Sequence, residues 1–390
     1  MTQRTLLFAD IHLVSRTPPD VTLDLARLIS DHPGTRLVIV GDLFDLASER
    51  SPLPLAGAVA SVLGAHPVLR AALARHLDQG GELWLAAGNH DIEVGEPTFR
   101  AAFIAALGLP RDPGARLRTS PWFFRDGSLH IEHGHLYDPD NAPAHPLIVG
   151  ERSLGGHFVE NFIAPTGAHR YLNANDSTPL KLFLSSFTWY GPRAPYVIYR
   201  YFYTAITAML RSGPFYSARG EIDLGRAAGE RFAMELGVPH EMVDAVFALA
   251  AKPTLESLAL TFTRVYFDRV IATLAMAGGL GALGFGRRGA GALSFGVGAL
   301  LMGASWAKGH DRYTGTVAER LARGASRVGE VTGAKLVVFG HTHREAHESG
   351  YANTGSFAFP RGAPGRPFLE IEGDPSAPRA VRRYLPPASI

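Results

Sequence analysis

The sequence contains no cysteine among its 390 residues, which excludes disulfide bonds, thiolate metal sites and a cysteine nucleophile. It also lacks an excess of charge of one sign, because 38 Lys and Arg residues nearly balance 36 Asp and Glu residues. The formal net charge of +2 gives no electrostatic argument for binding nucleic acid. A signal-peptide core is missing near the start, where only residues 6–9 are consecutively apolar. We therefore expect a cytoplasmic protein with no nucleic-acid partner.

Charged residues are also scarce, at 19% of the chain, and the apolar excess lies mainly in residues 151–310. Aromatic side chains crowd residues 183–216. Residues 270–286 and 289–307 are uncharged runs of 17 and 19 residues, long enough to suggest a membrane helix pair. Small residues recur in both runs at intervals of four, a pattern that lets helices approach closely in lipid.

The candidate membrane contacts are thus residues 183–216 and 270–307. The sequence leaves four arrangements open for the glycine-rich pair: a hairpin that spans the membrane, dips into one leaflet, lies on its surface, or stays buried in a soluble lid. A spanning hairpin with both ends in the cytoplasm would place Arg287 and Arg288 outside, against the positive-inside tendency. A peripheral or inserted location at the inner membrane is the corresponding expectation.

Outside this region, short apolar runs alternate with helical patterns, which predicts an α/β fold. The predicted strands are residues 5–9, 37–40, 83–87, 129–132, 336–339, 368–371 and 380–384. The predicted helices include residues 21–30, 53–77 with a break near Gly64 and Pro67, and 317–330. We therefore predict an α/β core in two parts, residues 1–150 and 311–390, separated by a mainly helical apolar insertion over residues 151–310.

Five polar clusters follow predicted strands, where ligand sites of α/β sheets form. They are Asp10-Ile11-His12, Gly41-Asp42-Leu43-Phe44-Asp45, Gly88-Asn89-His90-Asp91, His133-Gly134-His135 and Gly340-His341-Thr342-His343. The candidate metal ligands among them are Asp10, His12, Asp42, Asn89, His133, His341 and His343. Carboxylate, amide and imidazole donors suit Mn²⁺, Fe²⁺ or Zn²⁺ better than Ca²⁺. Seven donors exceed the needs of one ion and fit two ions that share a carboxylate.

In this order, the five clusters resemble those of the calcineurin-like metallophosphoesterase superfamily, over residues 1–150 and 330–360. The resemblance implies a β-sandwich flanked by helices, with two divalent metal ions at the strand ends, Mn²⁺ first and Fe²⁺ or Zn²⁺ as alternatives. The implied ligands are Asp10, His12 and His343 for one ion, Asn89, His133 and His341 for the other, and Asp42 as the bridge. It also implies that residues 353–356 form a closing turn under the site.

The resemblance further implies hydrolysis of a phosphoester or diphosphate bond. A water that bridges two divalent cations loses a proton near neutral pH and can attack phosphorus in line. His90 would contact the phosphate and protonate the leaving oxygen, and Asp45 would orient and charge-stabilise His90. Asn89 and His90 are the expected substrate contacts. His135 either joins them or has a supporting role.

Two features of the sequence indicate which branch of the superfamily it resembles most. Leu46 and Ala47 follow Asp45, whereas the Ser/Thr protein phosphatases have Arg-Gly there. The long insertion before His341 lies where lipid-acting members carry a cap, and the layout is similar to UDP-2,3-diacylglucosamine diphosphatases. That branch has Arg where His90 stands, and its cap is shorter.

Three functions follow as hypotheses. The first is a hydrolase of a lipid-like phosphorylated substrate, such as UDP-2,3-diacylglucosamine, at the cytoplasmic membrane face. The second is a phosphodiesterase or phosphatase of soluble nucleotides, with the insertion as a membrane anchor or oligomerisation element. The third is a non-catalytic scaffold, which the complete donor set and His90 disfavour.

Overall fold

The computed structural model describes residues 4–49, 53–168, 179–216, 218–307, 315–362 and 364–386. The chain divides into two compact units. Unit 1 comprises Met1–Glu160, Ala218–Pro253 and Val317–Ile390, and unit 2 comprises Asn161–Ser217 and Thr254–Thr316.

Within the described ranges, unit 1 contains eleven strands in two mixed sheets. In chain order they are β1 (Thr5–Phe8), β2 (Arg36–Val40), β3 (Glu82–Ala86), β4 (Leu117–Ser120), β5 (Phe123–Asp126), β6 (Leu129–Glu132), β7 (Leu336–Phe339), β8 (Glu345–Glu348), β9 (Tyr351–Thr354), β10 (Arg366–Glu372) and β11 (Arg379–Leu385). The first sheet has the order β11-β10-β1-β2-β3-β4, and β1 to β4 run parallel. The second has the order β5-β6-β7-β9-β8, and β6, β7 and β9 run parallel.

The helices of unit 1 lie between these strands and in two segments of the predicted insertion. They are α1 (Pro19–Ser30), α2 (Leu46–Glu49), α3 (Leu55–Ala65), α4 (Pro67–Asp78), α5 (Phe99–Leu107), α6 (Leu154–Phe158), α10 (Arg219–Leu236), α11 (His240–Phe247) and α15 (Gly315–Thr332). Those of unit 2 are α7 (Ala164–Thr166), α8 (Pro179–Tyr190), α9 (Ala194–Leu210), α12 (Leu258–Arg264), α13 (Phe267–Gly284) and α14 (Arg288–Ala307).

The two sheets of unit 1 pack face to face. Successive residues of each strand point to opposite faces, so one set of side chains faces the other sheet and the next set faces the helices. Leu7 of β1 lies in a buried cluster between the sheets, together with Ile131 and Val338 of the second sheet. Leu6 and Phe8 point the other way, into a cluster that includes residues of α1, α3, α4 and α5. The outer face of the second sheet packs on α10, α11 and α15. The order of layers is therefore helices, sheet, sheet, helices.

Most predicted elements of the core agree with the structure. The predicted strands at 129–132 and 336–339 coincide with β6 and β7, and the break near Gly64 and Pro67 separates α3 from α4. Strands β4, β5, β8 and β9 were not predicted. Arg118, Arg125 and the charged sequence of β8 interrupt the apolar pattern in the first three of these strands, which have partly exposed positions. Strand β9 is buried but includes the polar residues Asn353 and Thr354.

Residues 218–253 belong to unit 1, although the sequence assigns them to the insertion. Phe232 of α10 and Val243 of α11 lie in the same buried cluster as Phe339 of β7 and Leu321 of α15. These two helices therefore cover the second sheet. The apolar insertion is split into two segments around them.

In unit 2, α13 and α14 form a helical hairpin with a seam of small residues. A Cβ atom placed on Gly279 would lie 2.5 Å from the backbone nitrogen of Phe295, and one on Gly298 would lie 2.7 Å from the carbonyl oxygen of Ala272. Only glycine permits this approach. Both helices are long and apolar enough to cross a membrane.

Candidate metal centre

The loops after β1, β2, β6 and β7 and the turn after β3 bring the predicted donors together at one end of the two sheets. The backbone there is unusual. Among the described residues, the non-glycine residues with a positive φ are Asp10, His12, Asp42, His341, His343 and Tyr266. Five of these six are predicted metal ligands. Side chains other than glycine adopt this conformation at a cost, and such strain concentrates at functional sites.

Asp10, His12 and His343 form the first group of donors. The Nε2 atoms of His12 and His343 lie 3.1 Å apart, and His343 Nε2 lies 3.3 Å from Asp10 Oδ1. His12 Nε2 lies 3.9 Å from the same carboxylate oxygen. Asp10 Oδ1 is buried and has no hydrogen-bond partner within the described ranges. The three donor atoms thus lie close enough together to bind one cation.

Asn89, His133 and His341 form the second group. Asn89 Oδ1 lies 3.1 Å from His133 Nε2 and 3.0 Å from His341 Nδ1. His133 Nδ1 donates to the carbonyl oxygen of Val40 at 2.8 Å, so Nε2 is the nitrogen that can bind a metal ion once it has lost its proton. Asn89 follows a strand of the first sheet, whereas His133 and His341 follow strands of the second sheet.

Asp42 lies between the two groups. Its Oδ2 atom is 3.2 Å from His133 Nε2 and 3.8 Å from His12 Nε2. Its Oδ1 atom accepts a hydrogen bond of 2.9 Å from the backbone N–H of His90. Asp42 Oδ2 therefore lies within 3.8 Å of one donor atom from each group.

The distances of 3.0 to 3.3 Å fit neighbouring ligands of one metal ion, whereas those of 3.8 and 3.9 Å from His12 Nε2 are longer. Donor atoms about 2.1 Å from one ion, at angles of 90° to 110°, lie roughly 3.0 to 3.5 Å from one another. One donor atom from each of Asp10, His12 and His343 lies within 4.8 Å of the other two, and the same holds for Asp10, Asp42 and His133. The buried carboxylates and imidazoles can therefore hold a metal ion.

Two glycines keep space for Asp42 and His133. A Cβ atom on Gly88 would lie 2.1 Å from Asp42 Oδ1, and one on Gly41 would lie 2.5 Å from the His133 ring. Gly41 also has a φ of +84°, which favours glycine. A Cβ atom on Gly340 would likewise lie 3.1 Å from Asp10 Oδ2, so the glycines before the donors in three of the five clusters leave space for donor side chains.

The ionised side chains of the site attract cations. Burial favours the neutral form of the Asp10 and Asp42 carboxyls. At Asp10, the imidazoles of His343 and His133 outweigh this effect of burial and hold the pKa below its usual range. His133 and His90 hold the pKa of Asp42 well below its range in the same way. Burial opposes protonation of His133, yet Asp42 and Asp10 raise its pKa to about 9. The ionised pair therefore stabilises positive charge at the place where a metal ion would replace protons.

His90 and Asp45 pair beside these groups. Burial disfavours the charged imidazole, but Asp42 and Asp45 raise the pKa of His90 to about 9. His90 Nδ1 lies 3.3 Å from Asp45 Oδ1, and Asp45 also accepts a hydrogen bond of 2.7 Å from the hydroxyl of Ser48. His90 also lies near His12 and Asp42, so geometry alone would admit it to a metal-binding group.

His135 lies next to the site without joining a donor group. Its ring centroid is 5.4 Å from that of His133 and 6.4 Å from that of His341. Burial and the neighbouring imidazoles hold the pKa of His135 well below its usual range. His135 is thus a buried neighbour of His133 and His341.

Three residues that the sequence analysis did not assign support the donors. Asp91 accepts backbone N–H bonds from Asp42 at 3.2 Å, Phe44 at 3.1 Å and Gly88 at 2.8 Å, and so joins the loops after β2 and β3. It stands inside the Gly-Asn-His-Asp cluster, which is the signal that could have identified it.

Asp138 and Asn141 are the other two. Asp138 Oδ2 lies 3.0 Å from His341 Nε2, which directs His341 Nδ1 towards Asn89. Asn141 donates to Asp138 at 2.7 Å and accepts from the amide of Asn89 at 3.3 Å. Both follow His135 closely in the sequence, but their spacing matches no metal-binding pattern.

Residues 353–356, for which the resemblance implies a closing turn, form the end of β9 and the start of the loop that follows it. Ser356 donates to the carbonyl oxygen of Asp10 at 2.8 Å, and the amide of Asn353 donates to the carbonyl oxygen of Gly340 at 2.6 Å. A cavity of about 460 Å³ opens beside His343, and Arg344 and Arg361 are among the residues that line it. Two cationic side chains thus line the same cavity as His343.

Comparison of the chain with models of known protein families gives no match. No curated protein matches it either.

The close approach of Gly88 to Asp42 predicts the effect of a single methyl group. Gly88→Ala should weaken Mn²⁺ binding about tenfold or more, because the added Cβ displaces the Asp42 carboxylate. Equilibrium dialysis measures the affinity, and circular dichroism checks the fold. Gly64→Ala is the matched control, since nothing lies within 4 Å of a Cβ at that position. Equal affinities for Gly88→Ala and the unmodified chain would contradict this role of Gly88.

The contact between Asp138 and His341 predicts a second effect. Asp138→Ala should weaken Mn²⁺ binding by about 10- to 100-fold, because it releases the His341 ring from its ligating orientation. Asp138→Asn should lose less, since its amide oxygen can still accept from Nε2. The exposed Asp31→Asn is the control for loss of one negative charge. Asp138 is not a positioning residue if calorimetry gives the same affinity for all three variants.

Proposed function

We propose that this chain is a metal-dependent phosphoesterase of the calcineurin-like type. One observation carries the proposal: all seven donors predicted from the sequence lie in two groups with Asp42 between them. The four-layer arrangement of helices and two sheets, with the donors at strand ends, supports it further. A solvated polar turn would not bury carboxylates and imidazoles together in this way.

Two divalent ions are proposed, with Mn²⁺ first and Fe²⁺ or Zn²⁺ as alternatives. Asp10, His12 and His343 would hold one ion. The second would be held by Asn89, His133 and His341, and Asp42 would serve both. When bound, such ions supply Lewis-acid activation of water and neutralise charge on the phosphoryl oxygens.

We assign to His90 the transfer of a proton to the leaving oxygen. Its Nδ1 faces Asp45, which leaves Nε2 to hold the proton that the leaving oxygen requires. Asp45 is itself fixed by Ser48, so it orients the imidazole and stabilises its cationic form. Burial of His90 excludes water from the proton that it carries.

The proposed substrate is a lipid-like phosphoester or diphosphate, such as UDP-2,3-diacylglucosamine. Arg344 and Arg361 line a cavity beside His343 and provide cationic groups for phosphate oxygens. Considered by itself, unit 2 exposes large apolar side chains, including Phe187, Tyr199 and Leu210, which suit contact with lipid. Burial of each methylene contributes about 0.8 kcal/mol, so a partly covered chain would dominate affinity.

A second candidate is hydrolysis of a soluble nucleotide. The observation that favours it is the α13–α14 hairpin, which by itself meets the length and hydropathy requirements of a membrane helix pair. Its apolar surface would then anchor the protein and have no substrate contact. In both cases we propose that unit 1 lies on the cytoplasmic side of the membrane.

Substitutions at Asp42 and His90 should separate metal binding from chemistry. Asp42→Ala should lose both metal ions, because it removes the carboxylate between the two donor groups. His90→Ala should keep them but lower kcat about 10²- to 10⁴-fold on a chromogenic phosphodiester with Mn²⁺. Elemental analysis after gel filtration gives the metal content, and exposed His347→Ala is the control. Two metal ions retained in Asp42→Ala would contradict the bridging assignment.

The lipid substrate is tested with the full chain and a matched substrate pair. We expect kcat/KM for a diacylated sugar nucleotide in mixed micelles to exceed that for the deacylated compound by at least about 100-fold, because acyl burial adds binding energy. Stopped assays of released nucleotide monophosphate measure both rates. Equal values would favour the soluble-nucleotide candidate and leave the metal chemistry unaffected.

A further inference from the structure

We propose that the hairpin of α13 and α14 crosses a lipid bilayer, with its tip at residues 285–287 on the side opposite to its two ends. This goes beyond the proposed function and does not depend on the chemistry of the metal centre. Length is the first argument. Helix α13 has 18 residues and α14 has 20, which correspond to about 27 Å and 30 Å of helix. The hydrocarbon core of a bilayer is about 30 Å thick.

The packing of the hairpin is the second argument. Glycine and alanine fill the contact between the two helices, whereas leucines point outwards: Leu274, Leu293 and Leu300 are 66%, 70% and 76% exposed. A helix pair in water places its large apolar residues inside. Small residues at the contact and large ones outside are typical of helices packed in lipid.

Polar groups along the contact have partners, as hydrocarbon requires. The hydroxyl of Ser294 donates to the carbonyl oxygen of Ala275 at 2.8 Å. Near the open end, Arg269 Nε donates to the Ser305 hydroxyl at 3.0 Å. The exposed part of the hairpin between these ends carries no charge over residues 270–286 and 289–307. A helix that lies flat on a membrane needs a charged face, which is missing here.

The tip distinguishes a crossing from a shallow insertion. Arg287 and Arg288 are both exposed at the turn, next to Phe285, which is 88% exposed. A hairpin that dips into one leaflet would place both guanidinium groups in hydrocarbon, among the costliest positions for any side chain. A crossing hairpin brings them to the far head groups, with Phe285 at the interface.

The orientation follows from basic residues close to the open end. In the sequence, Arg264 precedes α13, and Lys308 and Arg312 follow α14, against two arginines at the tip. The positive-inside tendency therefore places the open end in the cytoplasm once both ends are counted. This agrees with the cytoplasmic location proposed for unit 1.

Single cysteines test the crossing, because the chain has none of its own. Gly289→Cys marks the tip, Gly296→Cys the middle of α14, and Glu256→Cys the segment before α12. Nothing lies within 4 Å of a Cβ at either glycine, and Glu256 is exposed. The full-length variants are translated in the presence of sealed phosphatidylcholine–phosphatidylglycerol vesicles and treated with a membrane-impermeant maleimide.

We expect Glu256→Cys to react at once, Gly289→Cys only after a pore-forming toxin admits the reagent, and Gly296→Cys only after detergent. Reaction of Gly289→Cys in intact vesicles would overturn the crossing in favour of a surface position. Protection of Gly289→Cys until detergent is added would overturn it in favour of a one-leaflet insertion. Release of the chain by alkaline carbonate as a soluble oligomer would show that a second copy covers the leucines. None of these readouts uses phosphoesterase activity, so they leave the proposed function untouched.

Discussion

The arrangement of donors in this site depends on two buried carboxylates. Asp10 is 0% exposed and Asp42 is 1% exposed, and both stand at the ends of neighbouring parallel strands. Two buried negative charges are unfavourable without positive charge between them. In the structure, imidazoles supply that charge, and the raised pKa of His133 reports the attraction. The arrangement of the other donors is explained most simply if divalent cations take over this role.

The backbone supports the same account. Asp10 and Asp42 adopt left-handed conformations, and Gly88 leaves space that any Cβ would fill. Each of these features costs stability or tolerance to substitution, and packing alone would not maintain them. Asp91 and Asp138 add hydrogen bonds that hold the loops and the His341 ring. The strain and its supports occur at the same strand ends, as expected where a site is held ready for a ligand.

The sequence predicted most of the buried strands and the seven residues that the structure brings together at the strand ends, because apolar runs followed by Gly, Asp, Asn or His are local signals. It did not predict Asp138, whose role depends on a contact with His341 from a strand more than 200 positions later. It assigned α10 and α11 to the insertion, because their packing on the second sheet leaves no mark in their own composition. The arrangement of residues 270–307 also required the structure, since glycine and leucine content does not show which residues face the partner helix.

Anomalous diffraction from crystals of the full chain grown with Mn²⁺ tests the central claim most directly. The account predicts two peaks in the anomalous map, each about 2.0 to 2.3 Å from an oxygen of Asp42. One should be adjacent to His12 and His343, and the other adjacent to His133 and His341. Maps without a peak at Asp42, at a Mn²⁺ concentration that saturates binding in solution, would contradict it.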